Sequence, residues 1–234
     1  MKKLLITCIG LQWLIALAGC SSSEPTVPAS GQAGYERVQP AGQTADGQNL
    51  FPSLRDDEIE LTNYFAYACP HCFQFEPELQ QWLKTEIAQA ITFKKVPVGM
   101  LPAWVDHARL FHVAESTGFL NEIHLPLFDA IHLTKPGLKN DLETLAGFAV
   151  QWTQQKADKN QLIARMESDE VAEKIIHDNK IINHLGINLT PTLVLRYRKN
   201  DEYVFIKITN KTAKAYGGII TVLNKLIESL QHEA

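Results

Sequence analysis

Ile59-Glu60-Leu61-Thr62-Asn63-Tyr64-Phe65, followed after Ala66-Tyr67-Ala68 by Cys69-Pro70-His71-Cys72-Phe73-Gln74-Phe75-Glu76, decides how this chain is read. The first run is short, β-branched and aromatic, and predicts a buried strand. Beyond the cysteines, Phe75, Leu79, Trp82, Leu83 and Ile87 recur at helical spacing, so a helix is expected there. Pro70 suits the first turn of that helix, where a missing N–H costs nothing. Pro77 lies inside it and should kink it. Strand, Cys-x-x-Cys, helix is an arrangement with chemical content. The first cysteine sits at a helix N-terminus, where backbone N–H groups and the helix dipole favour a thiolate. The second lies one turn on, less exposed, placed to attack a mixed disulfide formed by the first. Cys69 is therefore the expected nucleophile and Cys72 the resolving residue.

Competing readings of the motif are weaker. A zinc site needs further ligands, usually a second cysteine pair, and none follows. Attachment of c-type haem needs histidine directly after the second cysteine, and Phe73 stands there. The chain has 4 cysteines, and the other two, Cys8 and Cys20, lie near the N-terminus. A single pair so closely spaced closes a tiny loop and restricts little chain entropy, so its purpose is chemical rather than structural.

The N-terminus supplies the compartment. Met1-Lys2-Lys3 is a charged start, and Leu4 to Ala18 is a nearly unbroken apolar run, too short to span a bilayer comfortably. This pattern predicts a secretory signal peptide over residues 1–19; the alternative is an uncleaved anchor. Leu17-Ala18-Gly19-Cys20 resembles the lipobox of bacterial lipoproteins, which implies lipidation of Cys20 and a membrane tether. Ser21 after the cysteine, rather than aspartate, favours outer-membrane over inner-membrane sorting by the same resemblance. Residues 20–34, rich in Ser, Pro, Gly and Ala, read as a flexible tether. Order is expected from Tyr35, with a loop over Gly42–Gly47. The net charge is −4, and losing Lys2 and Lys3 makes the mature chain more acidic still. Such a chain is a poor nucleic-acid binder.

From Ala103 to Leu185 the pattern is helical throughout. Helices are expected at Trp104–Thr117, Leu120–His132, Leu142–Gln154, Lys159–Glu167 and Val171–Leu185. Asp141 and Asp158 are the expected N-caps, and Gly118 and Gly186 the stops. Ile91–Val98 reads as a strand. Thr192–Tyr197 and Tyr203–Ile208 read as a hairpin around Lys199-Asn200-Asp201, and Gly218–Gln231 as a last helix.

Cys69-Pro70-His71-Cys72-Phe73-Gln74-Phe75-Glu76 resembles the active site of the DsbA family of disulfide oxidases. The order of strand, helical block and Gly186-Ile187-Asn188-Leu189-Thr190-Pro191-Thr192 fits the same family, as does Val105–Phe128 with its Leu125-Pro126-Leu127-Phe128. The resemblance spans residues 35–234. It implies an α/β protein, a thioredoxin fold with a helical domain inserted at about residues 99–185. It implies that Cys69, Cys72, His71 and Pro70 form the catalytic motif, with His71 adding a donor or positive charge near Cys69. It implies a cis peptide at Pro191, whose loop lies against the cysteines and presents Thr190 to substrate. Glu76 and Lys94 resemble family charged residues near the site and are candidates for proton-transfer support.

Two residues depart from the family pattern. Asn63 stands where a buried acid often precedes the first cysteine by six positions. Thr190 stands where the oxidases usually carry valine and looks more like the isomerase branch. The expected activity is thiol:disulfide exchange, as an oxidase of reduced exported proteins reoxidised by a DsbB-type membrane partner. A reductase or isomerase, or a non-catalytic surface lipoprotein, are the alternatives. A dimeric isomerase normally has a dimerisation domain, and the stretch before Ile59 is too short and polar for one, so a monomer is expected. No bound cofactor or metal is implied. His107, His112, His124 and His132 read as surface or packing residues of helices. Trp82, Trp104 and Trp152 read as core or groove-lining. Lys94-Lys95 and Arg196-Tyr197-Arg198-Lys199 read as solvated faces.

Overall fold

The protein is described by a computed structural model, which describes residues 34–39, 50–154 and 156–233. The expected leader, Cys20, the tether up to residue 33 and the loop at 42–47 lie outside the described residues.

Strand β2 (Glu60–Phe65) is buried along its whole length, which is why its sequence is continuous rather than alternating. It runs parallel to β3 (Thr92–Pro97) and antiparallel to β4 (Thr192–Lys199). β4 pairs with β5 (Glu202–Thr209), and β1 (Glu36–Val38) joins β5 at the edge, giving the order β1-β5-β4-β2-β3. The hairpin turns through Asn200 and Asp201, both left-handed at φ 52° and 64°, the pair of conformations that matches strand twist in a two-residue turn.

Between β2 and β3 lie α1 (Pro70–Trp82) and the short α2 (Glu86–Gln89). One continuous helical face as far as Ile87 was the expectation. The helix instead stops at Trp82, because Thr85 accepts the Ala88 N–H and donates to the Trp82 carbonyl, starting a new turn. Between β3 and β4 stands the helical block: α3 (Pro102–Thr117), α4 (Leu120–His132), α5 (Leu142–Trp152), α6 (Lys159–Met166) and α7 (Asp169–His184). Asp141 and Asp158 cap α5 and α6 by accepting the Thr144 and Gln161 N–H groups. Gly118 ends α3 in the left-handed conformation that only glycine adopts freely. After β5 come α8 (Asn210–Ala213) and α9 (Ile219–Glu233).

Residue alternation along the strands sorts the core. Leu61, Leu193, Leu195, Ile206 and Ile208 pack against Phe75, Leu79 and Trp82 of α1 and Leu223 and Ile227 of α9. The opposite face, with Tyr64, Val194 and Phe205, is covered by Ile182, Leu185 and Ile187 at the end of the helical block. A third cluster fills the block itself and reaches Phe65, Tyr67, Cys69 and Cys72, so the helices and the cysteine motif share one core. No helix among the described residues is long and apolar enough to cross a membrane.

Several expectations about single residues are corrected. Arg196 is not on a solvated face. It is 2% exposed, its Nε donates to Glu60 at 3.1 Å and Nη1 to the Pro52 carbonyl at 2.7 Å, Nη2 completes the ion pair with Glu60 at 3.0 Å, and the guanidinium lies over the Phe51 and Tyr203 rings. A buried carboxylate on the same sheet face draws it in. Trp152, expected as core or groove-lining, is 46% exposed at the last turn of α5, with its ring beside that of Phe148. Trp82 is buried, and its indole N–H donates to Asn224.

Candidate active site

β2 ends at Phe65, and the turn Ala66-Tyr67-Ala68 delivers Cys69 to the N-cap of α1. The Cys69 N–H donates to the Ala66 carbonyl at 3.0 Å, and its own carbonyl accepts the Phe73 N–H, the first turn of the helix. Pro70 occupies the opening helical position. His71 and Pro70 are exposed, Cys69 and Cys72 are buried, and both cysteines are free thiols.

The Thr190–Pro191 peptide is cis. Its loop brings the Thr190 carbonyl to 3.4 Å from Cys69 Sγ, where it accepts the thiol proton. Pro191 is buried and Thr190 half-buried. Two segments more than a hundred residues apart thus meet at one sulfur.

The two thiols are driven in opposite directions. Cys69 is lowered to about 5 by the Cys72 thiol that donates to it, against burial, with further donors in the Thr190 hydroxyl and the Cys72 and His71 N–H groups. Burial pushes the Cys72 thiol far up, and its role as donor to Cys69 adds to this. Cys72, the more deeply buried of the two, is therefore the one that keeps its proton.

Glu76, one turn beyond Cys72, is buried. Its Oε1 accepts from Gln80 at 2.6 Å, Lys95 at 2.8 Å and His124 at 3.0 Å. Burial opposes its charge, but His124 and Lys95 outweigh it and hold the carboxyl at about 2. The lysine beside Glu76 is Lys95, not Lys94 as the sequence reading expected. Lys94 pairs with Glu60 and lies on the opposite sheet face. Side chains alternate along a strand, so adjacent lysines of β3 diverge: Lys94 stands opposite Thr62 and Lys95 opposite Asn63. Asn63 is 1% exposed, and its Oδ1 has no hydrogen-bond partner among the described residues.

Tyr67, which carries no motif signal, and His124 and His132, expected only as surface or packing residues, also belong to the site. The Tyr67 hydroxyl meets His124 Nδ1 at 2.7 Å, and the Tyr67 carbonyl accepts from His132 Nε2 at 2.7 Å. The available signal was His124 standing among the apolar positions of Leu120–His132, where a polar ring needs a partner.

A cysteine pair at a β2–α1 junction, facing a cis-proline loop on a mixed sheet with helices on both faces, defines the class of thioredoxin-fold thiol–disulfide exchange proteins. No protein-family model matches the chain. Among curated proteins, the thiol:disulfide interchange protein DsbA of Burkholderia cepacia is 29% identical over 233 residues, covering 99% of this chain and 98% of that one. The DsbA of Azotobacter vinelandii is 30% identical over 154 residues, 63% of this chain and 67% of that one. Among solved structures, the oxidoreductase DsbA from Xylella fastidiosa matches with TM-score 0.66 at 22% identity, over 89% of this chain and 98% of that one. A DsbA from Proteus mirabilis, in complex with the non-covalently bound peptide PWATCDS, matches with TM-score 0.59 at 15% identity, over 87% and 98%. The chain belongs to the DsbA family of thiol:disulfide interchange proteins. Its activity is that of a thiol:disulfide oxidoreductase, on a thioredoxin fold with an inserted helical block.

Proposed function

We propose that this oxidoreductase donates the Cys69–Cys72 disulfide to reduced exported proteins. The observation that carries the reading is the opposed state of the two thiols: Cys69 at the helix N-cap is held at about 5 while Cys72 is pushed up. A stabilised thiolate favours the reduced enzyme, so the disulfide is readily given away. A substrate thiolate attacks the Cys69 sulfur, the S–S bond breaks, and Cys72 leaves and takes up a proton. The substrate's second thiolate then attacks the substrate sulfur of the mixed disulfide and releases Cys69 as a thiolate.

Thr190 and Pro191 border the reacting sulfur, and we assign them to substrate binding: the Thr190 backbone pairs with an extended segment. The peptide bound by the Proteus protein supports a peptide ligand. His71, exposed beside Cys69, contributes its donor or charge to the thiolate. Glu76, with Lys95 in place of Lys94, is the candidate for proton-transfer support. The leader, the lipid on Cys20 and outer-membrane tethering in the bacterial envelope belong to the same proposal, as does reoxidation by a DsbB-type membrane protein.

The test is oxidation of a reduced, unfolded protein by the disulfide form of the full chain. Rapid transfer of the disulfide is expected, with none from Cys69→Ser. Cys72→Ser, mixed instead with a substrate that already holds a disulfide, should accumulate a mixed disulfide through Cys69: the Cys69 thiolate attacks the substrate disulfide, one substrate thiolate leaves, and no Cys72 is present to resolve it. A redox equilibrium with glutathione as reducing as a cytosolic thioredoxin would overturn the oxidase reading.

A further inference from the structure

Helix α4 crosses the cysteine motif at two histidines that stand on either side of Phe128, itself packed against Tyr67 and Phe73. His124 accepts the Tyr67 hydroxyl proton at Nδ1, two positions before Cys69, and its Nε2–H donates to Glu76, four positions after Cys72. His132 donates from Nε2 to the Tyr67 carbonyl, and its ring stacks on Phe73, directly after Cys72, at 4.7 Å and 13°. Each imidazole therefore ties the loop that precedes the motif to the helix turn that follows it.

We propose that His124 and His132 are positioning residues for disulfide exchange, two staples from the helical block that bracket Cys69-Pro70-His71-Cys72 and fix the loop presenting Cys69. This rests on the reading of Cys69 as the nucleophile. The Cys69 thiolate depends on N–H groups and hydroxyls aimed at one point, and such donors act only when held in register. Tyr67 is 1% exposed, wedged among Phe65, Phe128 and His124, so its hydroxyl must be paired.

The His124 tautomer follows from its partners. A carboxylate only accepts, so Nε2 carries the proton and Nδ1 is free to accept from Tyr67. Burial among Phe65, Phe111 and Phe128, together with Lys95 against the pull of Glu76, keeps the imidazole below its ordinary value. Protonation would make both nitrogens donors and leave the buried Tyr67 proton unpaired, so acid weakens this staple. Protons can reach it, since His124 and Lys95 line a groove of about 930 Å³ that also holds His112, Glu115, Lys174 and Asp178. Near His132 stands buried His107, its ring 6.2 Å from that of Tyr67.

The variants are Tyr67→Phe, His124→Leu, His132→Leu and His124→Gln in the full chain. Glutamine keeps an acceptor and a donor but does not titrate. Each of the first three should raise the Cys69 thiolate midpoint and slow exchange with a reduced peptide by roughly tenfold, in kcat rather than KM, for the loss of one buried hydrogen bond. His124→Gln should restore the neutral-pH rate. Corrected for thiolate fraction, the wild-type rate should fall in acid, at a pH below the ordinary histidine range, and that of His124→Gln should not. Tyr67→Phe removes a single oxygen and serves if the leucine variants do not fold. Folded Tyr67→Phe with wild-type midpoint, rate and pH profile would reduce His124 to packing, and a folded His132→Phe, which keeps a ring against Phe73 but loses the bond to the Tyr67 carbonyl, would do the same for His132 if its midpoint and rate were wild-type. Exchange persisting in Cys69→Ser would instead overturn the site reading itself.

Discussion

Thr190→Val isolates one donor to the nucleophile. The hydroxyl at position 190 is among the groups that stabilise the Cys69 thiolate, while the 190 carbonyl, 3.4 Å from Sγ, belongs to the backbone and stays. Valine is close to threonine in shape, so the loop should keep its conformation. A hydrogen bond to a charged group is worth about 1.5–3 kcal/mol, which corresponds to about one to two pKa units. Solvent at the rim of the site reduces this to about one unit. The Cys69 midpoint should therefore rise from about 5 to roughly 6. Neutral pH lies above both values, so the reduced form loses the full unit of stabilisation. The equilibrium with glutathione then shifts about tenfold toward oxidised enzyme, a potential about 30 mV more reducing. Ultraviolet thiolate absorbance gives the midpoint, and glutathione buffers give the equilibrium constant. An unchanged or lower midpoint in a folded variant would refute the assignment of Thr190 as a donor and leave the thiolate to Cys72 and the helix N–H groups.

The same thiolate makes stability depend on pH. Folding holds the Cys69 thiol below its ordinary 9.0, so its contribution is complete above pH 9, declines as pH falls, and is gone below about pH 5. From pH 7 to pH 4 the reduced protein should lose about 2–3 kcal/mol relative to the oxidised protein, which has no Cys69 thiol; denaturant unfolding of both forms measures this. The two adjacent lysines should behave differently in the same assay. Lys95→Met leaves the Glu76 carboxylate buried without its lysine and should cost about 3–5 kcal/mol. Lys94→Met should cost at most about 1 kcal/mol, because that side chain is 46% exposed and Arg196 still pairs with Glu60. Asp141→Ala removes the α5 cap and should lower the denaturant midpoint of unfolding.

The sequence revealed what is local. The bounds of Leu120–His132 follow from apolar spacing, the caps at Asp141 and Asp158 from short side chains ahead of apolar runs, and the cysteine pair from its place after a strand. What it hid depends on which face a residue takes in three dimensions. Lys94 and Lys95 are adjacent and chemically identical, and only strand phase tells that Lys95 meets Glu76. Arg196 sits in a run of charges that reads as surface, yet Glu60, 136 positions away, makes its burial favourable. His124 and His132 read as packing because their partner, Tyr67, lies in a different segment, 57 and 65 positions away. Non-local pairs of this kind leave no periodicity to read.

The departure at Asn63 bears on the direction of the reaction. A carboxylate at this buried position, opposite Lys95 in the sheet, would put a second negative charge in the core near Glu76. It would oppose the Cys69 thiolate and so favour the disulfide, which makes a weaker oxidant. Asparagine is uncharged, and the nearby buried acid, Glu76, has its charge matched by Lys95 at 2.8 Å. The core beneath the motif is thus close to neutral, while the rim turns donors toward Cys69: the Cys72 thiol, the Thr190 hydroxyl and the first N–H groups of α1. Threonine at 190, which by resemblance leans toward isomerases, here adds one more donor to the thiolate. Both departures lower the free energy of the reduced state. They strengthen the case for donation of the disulfide.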